Sequence, residues 1–503
     1  MVILVFLFSL IFITLSTVSA VSASSSVIYV NGSHGNDAND GLSWATAKLT
    51  IKNATGTVAA GGTVNIANGV YRGAGNTNII INKSMTIKGQ SKSGTIINGT
   101  NRTRIFQIKK LVPTEPLPSE DINVILQNLT IAHGNATNGG AISNEGVLTV
   151  KGCIFKGNIA STGGAIYNTG TLYITENIFT RNSATGTSIG GAIYNTGELT
   201  VNNNAFTGNS AYEGGAIYNT GTLTAHFNRI FGYEYDKVGE EVFCVGSGSK
   251  IVCNHDGTVD AELNWWGHNS KPTNVYPSSG IINPSGEISG FTVNKWFILK
   301  LNANTSSVPI NTNSKITADL RYDNYGTLHT EAYLPNGIPV TFTTNLGTIS
   351  SKAYTVNGIA QSTLKSALGG TANVSTILDA QQLFKYVKVI DKVPPKVNST
   401  YPKNLATGCS RTSTIYLKFN EKIKASTYWS KIYVKNLKTG KKVVISKSIS
   451  GNTLYIKMSS RRYAYNWYQV YIPKAAVKDY FNNNLATYYT FKFKTGKYPL
   501  NYQ

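Results

Sequence analysis

The clearest pattern of apolar and polar positions lies in residues 139–224, where a pair of glycines recurs. The pairs begin at Gly139, Gly163, Gly190 and Gly214, so successive repeats are offset by 24, 27 and 24 residues. Between the pairs, short apolar runs alternate with Asn, Thr and Gly, and none of these runs reaches the length of a helix. Repeats of this length are typical of solenoids, in which each repeat forms one turn. Three short strands in each repeat predict a parallel β-helix.

Residues of the same type occupy matched positions in these repeats. The matched apolar sets are Ile142, Ile166, Ile193 and Ile217; Leu148, Leu172, Leu199 and Leu223; and Phe155, Phe179 and Phe206. We expect each side chain to lie about 4.8 Å from its counterpart in the next turn, which is the spacing of hydrogen-bonded strands. The matched polar set Asn144, Asn168, Asn195 and Asn219 is predicted to form a ladder of side-chain amides at a corner. The glycine pairs suit another corner, where the chain needs a positive φ or has no room for a Cβ atom.

The repeat sequence resembles a known family. GGAIYN, followed in the same repeat by FTRN or FTGN, is similar to the GGAI…FxxN repeats of polymorphic outer-membrane proteins and of adhesin-like surface proteins, many of them from methanogenic archaea. The resemblance implies a right-handed β-helix with a surface-exposed, adhesive role. It implies no enzymatic chemistry.

The solenoid is predicted to cover residues 27–290, with less regular turns on either side of the clear repeats. The segment GGTVNIANGVYRG, at 61–73, resembles the first turns of pectate-lyase-like β-helix proteins. A short amphipathic helix within 42–59, with Trp44, Leu49 and Ile51 among its apolar residues, would cover the open first turn.

The sequence NWWG, at residues 264–267, marks the predicted end of the solenoid. Together with the following NSKP, it resembles the end of the β-helix in methanogen adhesin-like proteins. Two large aromatic rings would seal the last turn. The alternative is that Trp265 and Trp266 form an exposed platform that stacks on sugars.

Residues 291–391 show a different pattern, in which apolar and polar residues alternate along runs such as 314–320, 340–344 and 371–376. Such alternation predicts half-buried antiparallel strands of a β-sandwich. The sequences PVTFTTNLGTIS, GIAQSTLKS and GGTANVS resemble the bacterial Ig-like domains of invasin-type surface proteins, which usually act as spacers.

A second sandwich is predicted over residues 393–497, after a stiff Val393-Pro394-Pro395 linker. Its first part, PPKVNSTYPKNLATGCSRTSTIYLKFNEKIK, resembles the Ig-like domain of S-layer proteins. The predicted fold is therefore all-β: a right-handed parallel β-helix followed by two Ig-like β-sandwich domains.

Positive charge is concentrated in this last segment. Residues 393–497 contain 20 Lys and Arg but only Glu421 and Asp479 as acids, which gives +18 of the net charge of +22. Segregated charge predicts a polyanionic partner, and the aromatic residues between the basic ones also fit a nucleic-acid pattern. Secretion favours a cell-wall polymer, a surface glycan or another cell over nucleic acid, and the alternative is that the charge serves only solubility. The candidate ligand-binding residues are Arg461, Arg462, Tyr463, Tyr465, Trp467, Lys441 and Lys442.

Residues 1–23 are predicted to be a secretion signal. An apolar run at 2–15 is short for a membrane span, and VSA at 18–20 and at 21–23 offers small residues for cleavage. The segment lacks the usual basic residue before the apolar run, so an uncleaved anchor is the alternative. We expect no membrane span in the mature chain and an extracellular, cell-surface location.

Some residues are candidates for modification or for calcium binding. A disulfide between Cys244 and Cys253 is plausible in a secreted chain, whereas Cys153 is expected to be a packed free thiol. Asp37, Asn39 and Asp40 could hold Ca²⁺, although Asx turns explain them as well. No other cofactor or metal is expected. The candidate N-glycosylation sites are Asn31, Asn53, Asn82, Asn98, Asn101, Asn128, Asn135, Asn304, Asn373 and Asn398.

The sequence thus favours a secreted adhesin-like protein that displays a β-helix and attaches to an envelope or glycan through its basic domain. A β-helix polysaccharide lyase or glycosidase is the first alternative, since the architecture can host such enzymes. The repeats carry their acids at unmatched positions, and we find no pair of catalytic carboxylates. A structural component of a surface layer is the second alternative.

Overall fold

The computed structural model describes residues 25–110, 121–231, 252–254, 257–272, 275–277 and 293–497, without the side chains of 186–188, 252–254 and 275–277. The chain divides into two compact units. The first consists of residues 1–298 and 320–336, and the second of residues 299–319 and 337–503.

The first unit is built from short strands and one helix, α1 (Ile51–Thr57), among the residues described. In chain order its strands are β1 (Val27–Val30), β2 (Thr63–Ile66), β3 (Gly69–Tyr71), β4 (Ile79–Ile81), β5 (Met85–Gly89), β6 (Thr95–Asn98), β7 (Phe106–Ile108), β8 (Asn123–Gln127), β9 (Thr130–Ala132), β10 (Asn135–Asn138), β11 (Ile142–Asn144), β12 (Val147–Lys151), β13 (Ile154–Lys156), β14 (Ile159–Thr162), β15 (Ile166–Asn168), β16 (Thr171–Thr175), β17 (Ile178–Thr180), β18 (Ser183–Ile189), β19 (Ile193–Asn195), β20 (Glu198–Asn202), β21 (Ala205–Thr207), β22 (Ile217–Asn219), β23 (Thr222–His226), β24 (Arg229–Ile230), β25 (Val252–Asn254), β26 (Thr258–Asp260) and β27 (Val275–Pro277).

These strands form three long parallel sheets and one short one. The nine-stranded sheet has the order β1-β2-β5-β8-β12-β16-β20-β23-β26, the eight-stranded sheet β27-β25-β22-β19-β15-β11-β7-β4, the seven-stranded sheet β24-β21-β17-β13-β9-β6-β3, and the short sheet β10-β14-β18. In each sheet, neighbouring strands come from successive turns of the chain. The predicted parallel β-helix is confirmed.

The register places matched residues next to one another. Leu148 pairs with Leu172, which pairs with Leu199. The rings of Phe155 and Phe179 are stacked with centroids 4.6 Å apart, and the next phenylalanine in the column follows at 4.8 Å. These distances equal one strand spacing, so the predicted apolar columns are confirmed and form the buried interior of the solenoid.

The predicted asparagine ladder is also present. Asn144 Nδ2 donates to Asn168 Oδ1 at 2.7 Å, Asn168 Nδ2 to Asn195 Oδ1 at 2.6 Å, and Asn195 Nδ2 to Asn219 Oδ1 at 2.7 Å. Each donor amide also reaches the carbonyl oxygen two residues further along its own turn. The ladder therefore satisfies buried polar groups of the corner that would otherwise have no partner.

Two further ladders of buried asparagines follow the other corners. Their members are Asn158, Asn182 and Asn209, and Asn177, Asn204, Asn228 and Asn264. In these ladders the amide also bonds the main chain of the preceding turn: Asn177 Oδ1 accepts from Cys153 N–H at 2.8 Å, and Asn177 Nδ2 donates to Val150 O at 2.9 Å. The FxxN asparagines make the same kind of bonds: Asn182 Oδ1 accepts from Asn158 N–H at 3.1 Å, and Asn182 Nδ2 donates to Phe155 O at 3.0 Å. These asparagines therefore have a structural role.

Cys153 takes the place of an asparagine at the start of one ladder. It is a buried free thiol, as predicted, and burial raises its pKa to about 12. The sulfur lies 3.7 Å from Leu126 O, where the neighbouring turns place an asparagine amide nitrogen.

The glycine pairs lie where two turns approach most closely. Gly163 has a φ of +65°, and a Cβ atom on Gly164 would lie 2.1 Å from Gly191 O in the next turn. Both positions therefore exclude a side chain, the first by backbone conformation and the second by lack of space.

Helix α1 is shorter than the sequence predicts. It spans Ile51–Thr57, and Trp44 and Leu49 are 47% and 40% exposed. The carboxylate of Asp37 accepts hydrogen bonds from the N–H groups of Leu49 and Thr50. These bonds hold the residues before Ile51 in a loop, so the helix begins only at Ile51. Ile51 and Ala54 are buried in the core of the first unit.

Trp265 and Trp266 are 0% and 1% exposed, and Trp266 belongs to the solenoid core. The preceding Asn264 is the last member of its amide ladder. The prediction that these rings seal the solenoid is supported, and the alternative of a sugar-stacking platform is wrong because neither ring reaches the surface.

The remaining strands are antiparallel except for one pairing. They are β28 (Phe297–Ala303), β29 (Ser307–Pro309), β30 (Ser314–Asp323), β31 (Pro339–Thr344), β32 (Thr348–Ile349), β33 (Lys352–Tyr354), β34 (Ile359–Lys365), β35 (Gly370–Leu378), β36 (Gln381–Ile390), β37 (Val397–Tyr401), β38 (Ile415–Phe419), β39 (Lys424–Ala425), β40 (Tyr433–Asn436), β41 (Lys442–Val443), β42 (Ile445–Ser450), β43 (Thr453–Met458), β44 (Trp467–Ile472), β45 (Val477–Lys478) and β46 (Tyr489–Lys494), with a 3₁₀ turn at Trp429–Lys431. The exception is β29, which runs parallel to β36.

These strands form the two predicted sandwiches. The first has sheets β28-β30-β34-β32 and β29-β36-β35-β31-β33. The second has sheets β37-β38-β43-β42 and β41-β40-β44-β46, with a small β39-β45 pair. Ile415, Ile456, Val434, Val470 and Phe493 belong to one buried cluster to which both four-stranded sheets contribute. The all-β fold class is confirmed.

Replacing Asn177 with Ala should lower the stability of the solenoid by about 3 kcal/mol, because several buried main-chain and amide groups lose their partners together. The measurement is the unfolding free energy from circular dichroism in denaturant. Thr200→Ala, at an outward-facing position of the same repeats, is the matched control and should change stability by less than about 0.5 kcal/mol. Equal effects of the two variants would contradict a structural role for the ladder.

Replacing Cys153 with Asn should raise stability by about 1 kcal/mol, because the new amide can donate to Leu126 O and extend the ladder by one member. Cys153→Ala is the comparison and should be destabilising, since it leaves a cavity. A Cys153→Asn variant that melts below the parent chain would show that the site cannot hold an amide.

Candidate functional site

The sheet β41-β40-β44-β46 of the second sandwich has one face that we call the outer face. Along each strand, alternate residues point to opposite sides. Val434, Tyr468, Val470, Phe491 and Phe493 are buried and point into the sandwich. The intervening residues form the outer face, and they are Tyr433, Lys435, Lys442, Trp467, Gln469, Tyr471, Thr490, Lys492 and Lys494.

One end of the outer face consists of stacked tyrosines. Tyr433 pairs with Tyr471 across β40 and β44, and their rings are stacked with centroids 5.0 Å apart. The ring of Tyr488, just before β46, stacks on the other side of Tyr471 at 5.7 Å. The ammonium of Lys442 lies 4.5 Å from the Tyr433 ring centroid, within cation–π distance. We call this group the tyrosine end.

The middle of the outer face is a row of three lysines and one glutamine that crosses the strands. Lys435 pairs with Lys442 on one side and with Gln469 on the other, and Gln469 pairs with Lys492. We call Lys442, Lys435, Gln469 and Lys492 the lysine row. Lys442 and Lys492 are exposed and Lys435 is half-buried, so the ammonium groups face water.

The opposite end is formed around Trp467, which pairs with Lys494. Lys492 Nζ lies 5.9 Å from the Trp467 ring centroid. Tyr465, which is 58% exposed, and Lys438 stand beside this ring. We call this group the tryptophan end.

Each end contains a hollow. The hollow at the tyrosine end has a volume of about 810 Å³ and is lined by aromatic, aliphatic and basic residues, including Tyr428, Lys431 and Lys474. The hollow at the tryptophan end has a volume of about 390 Å³. No acidic residue lines either hollow. The outer face therefore combines aromatic rings with positive charge that no carboxylate there neutralises.

This arrangement is suited to binding. Lysines attract carboxylate, sulfate or phosphate groups, and tyrosine and tryptophan contact the rings and hydroxyl groups of a ligand. Neither hollow is lined by a carboxylate or an imidazole that could act as a general acid or base.

The two acids of the basic segment lie together, away from these hollows. Oxygens of Asp391, Glu421 and Asp479 are within 4.8 Å of one another, the one such acidic group among the residues described. Burial and the charges of the other two carboxylates raise the pKa of Glu421. Asp479 is buried and already accepts bonds from the N–H and the side-chain amide of Asn483, at 2.7 and 2.8 Å.

The structure brings part of the predicted site together. Trp467 and Lys442 belong to the outer face, and Tyr465 lines the hollow at its tryptophan end. Lys441, Arg461 and Tyr463 are exposed but line neither hollow.

Arg462 is a correction to the predicted binding residues, because it is 2% exposed and its guanidinium is used inside the domain. Nη1 donates to Ser410 O at 2.8 Å and Nη2 to Ser413 O at 2.6 Å, and the group lies 5.3 Å from the Phe493 ring centroid. Burial lowers its pKa. Arg462 therefore holds the segment before β38 in place and cannot meet a ligand at the surface.

Sequence reasoning missed Tyr433, Lys435, Tyr471, Tyr488 and Lys492. The signal that could have found four of them is the alternation of outward and inward residues in YVKN, WYQVYI and FKFK, whereas Tyr488 lies before the last of these strands. A search for adjacent basic and aromatic residues instead selected 461–468, where inward and outward residues are mixed.

The predicted calcium, glycosylation and disulfide sites do not include residues of the outer face. Asp37 bonds the loop before α1, Asn39 Nδ2 donates to Ala47 O at 3.1 Å, and Asp40 accepts from Leu42 N–H at 2.9 Å, the Asx-turn alternative. Calcium binding there stays a prediction, as does glycosylation. Of the ten sequons, the exposed asparagines are Asn82, Asn101, Asn135, Asn304 and Asn398, and the half-buried ones are Asn31, Asn53, Asn98, Asn128 and Asn373. Cys244 and the side chain of Cys253 lie outside the described residues.

Comparison with protein families identifies two parts of the chain. Residues 391–495 match the bacterial Ig-like domain, and residues 152–169 and 205–220 match the Chlamydia polymorphic membrane protein repeat. No curated protein matches the chain.

Comparison with solved structures finds bacterial adhesins and an S-layer protein at low similarity. The Yersinia pseudotuberculosis adhesin InvE is 15% identical with a TM-score of 0.25, over 39% of this chain and 58% of that one. Invasin, a bacterial integrin-binding protein, is 14% identical with a TM-score of 0.25, over 39% of each chain. Domains 5–6 of the S-layer protein SbsC are 15% identical with a TM-score of 0.15, over 40% of this chain and 99% of that fragment. Across the described part of the chain, no helix is both long and apolar enough to span a membrane.

Replacing Glu421 with Gln should raise the melting temperature at pH 7, because the raised pKa shows that folding disfavours the charged carboxylate. The gain should disappear below about pH 4, the ordinary range of a glutamate, where the group is protonated in both folded and unfolded chains. The measurement is calorimetry of chelator-treated protein across pH. Glu198→Gln, at an exposed solenoid carboxylate, is the control. A lower melting temperature for Glu421→Gln at pH 7 would mean that the charge is stabilising.

Proposed function

We propose that this chain is a secreted, cell-surface adhesin-like protein whose second sandwich attaches it to an anionic polymer of the envelope or to a surface glycan. The observation that carries this proposal is the outer face, where lysines surround aromatic rings and no acid lines the hollows. The same domain holds +18 of the chain's net charge, so association with polyanions is favoured over a long range.

The solenoid has the properties of a display scaffold. Its interior consists of apolar columns and hydrogen-bonded asparagines. Each turn is therefore stabilised by its neighbours, which makes the solenoid rigid. On the outside of the nine-stranded sheet, Thr149, Thr200 and Thr224 occupy one column position in their turns, together with Ile125 and Tyr173. A partner can recognise such a face even if the solenoid catalyses no reaction.

The matches to polymorphic membrane protein repeats and to bacterial Ig-like domains support a surface role. A leader at residues 1–23, glycosylation at the sequons, and an envelope of archaeal type belong to the same proposal and are supported by the sequence. In this proposal the first sandwich acts as a spacer, and the partner is a cell-wall polymer, a surface glycan or another cell.

The enzymatic alternative has less support. Two carboxylates of the repeats are engaged with lysines: Glu145 with Lys109 at 2.5 Å, and Glu176 with Lys151 at 3.6 Å. Glu145 follows β11 and Glu176 follows β16, so the two carboxylates lie at different corners of the solenoid and not in the close pair that hydrolysis of a glycosidic bond requires.

Envelope attachment can be tested with the full mature chain and protein-free cell walls. We expect sedimentation with the walls at low ionic strength and release as salt is raised above about 0.3 M, because exposed ion pairs are screened. Walls whose carboxyl and phosphate groups have been neutralised chemically are the control and should not retain the protein. Retention that is unaffected by both salt and neutralisation would overturn electrostatic attachment.

A further inference from the structure

We propose that the outer face is one continuous site for a linear acidic polysaccharide, with a subsite at each aromatic end and the lysine row between them. This inference rests on the proposed function and specifies its ligand. The chain of the ligand would run along β44, over Tyr471, Gln469 and Trp467, which are alternate residues on the same side of one strand.

The geometry joins the two hollows into one site. Tyr471 and Trp467 are four residues apart on a strand, so their Cα atoms are separated by about 13 Å. Both hollows are lined by residues of β44, Tyr471 in one and Trp467 in the other, and the lysine row crosses this strand at Gln469, between the two. A ligand that reaches both ends must therefore cross the lysine row.

The tyrosine end favours sugars over stacked bases. Tyr471 lies between Tyr433 and Tyr488, with rings stacked at 5.0 and 5.7 Å, so both of its faces are already covered. The Tyr471 ring consequently presents its edge and its phenolic hydroxyl group to the hollow. Hydroxyl groups bond to the hydroxyl groups of a sugar, whereas a nucleobase needs an open ring face on which to stack.

The lysine row explains why the polysaccharide would be acidic. Lys442, Lys435 and Lys492 come from three different strands, and no acid pairs with them across the sheet. Lys442 lies over Tyr433 at one end and Lys492 over Trp467 at the other, so each aromatic end has an ammonium beside it. A sugar bound at either end can therefore place a carboxylate, sulfate or phosphate group against a lysine.

The test uses the full mature chain and size-graded oligouronates, with affinities measured by calorimetry at fixed ionic strength. Affinity should rise sharply when the oligomer becomes long enough to reach both ends, and then level off. Variant K435Q/K442Q/K492Q should bind long oligomers about tenfold more weakly, as expected for three exposed ion pairs. Its control, K418Q/K422Q/K457Q, removes the same charge from exposed positions off this face and should lose less than about twofold.

Two aromatic variants separate this inference from simple charge attraction. Trp467→Ala and Tyr488→Ala should each weaken binding of long oligouronates by roughly threefold to tenfold. Neither should alter binding of polyphosphate, which has no sugar rings. Tyr416→Ala, an exposed tyrosine on the other sheet, is the control and should bind as the parent does.

The outcomes distinguish the inference from the proposed function. If the aromatic variants bind oligouronates like the parent while walls still retain the protein in low salt, attachment is by charge alone and the inference is overturned. A smooth rise of affinity with length would also overturn it, because it excludes two separated subsites. If single-stranded DNA binds more tightly than oligouronates and depends on the same residues, the ligand class is wrong. If the parent chain does not bind cell walls in a salt-sensitive way, the proposed function itself is wrong.

Discussion

The solenoid depends on one constraint, the parallel hydrogen bonding that sets each turn one strand spacing from the next. This spacing brings identical side chains into contact, so a residue that packs well in one turn packs well in all of them. Phenylalanine rings stack at 4.6 and 4.8 Å, and asparagine amides bond their counterparts at 2.6 to 3.2 Å. The apolar columns supply burial, and the asparagine ladders satisfy the polar groups of the corners. The apolar columns need the ladders, because a corner that left buried main-chain groups without hydrogen bonds would destabilise the fold.

In the second sandwich, the alternation of side chains along each strand separates an apolar core from a charged and aromatic surface. Its inner residues form an apolar core that needs no charge, and this leaves the outer positions of β40, β44 and β46 free to carry lysine and aromatic residues. The domain places its two acids beside Asp391 rather than among these lysines. Because the acids do not pair with the face, its positive field is not neutralised locally. A sheet face with this composition is available for recognition.

The two architectures divide the work of the proposed adhesin. The solenoid is polar outside and has its carboxylates dispersed or paired with lysines, so it offers a long surface without strong charge. The second sandwich is compact and strongly basic. In the proposed function, each part has the role that suits the placement of its charges: recognition over a broad neutral surface for the solenoid, and attachment to polyanions for the second sandwich. The matched repeat and Ig-like families fit this combination.

By itself the sequence determined what is periodic or compositional. The phase of Ile166, Leu172 and Phe179 predicted parallel stacking, and the count of lysines predicted a basic domain. Tertiary structure alone decided which side chains reach water. Arg462 and Tyr463 are neighbours in an aromatic and basic run, yet one is bonded inside the domain and the other is 67% exposed. Tyr433, Tyr471 and Tyr488 are far apart in sequence and form one stack. Local composition fixes the chemistry that each residue can offer. Strand register and the direction of the core decide whether that chemistry is buried or assembled into a site.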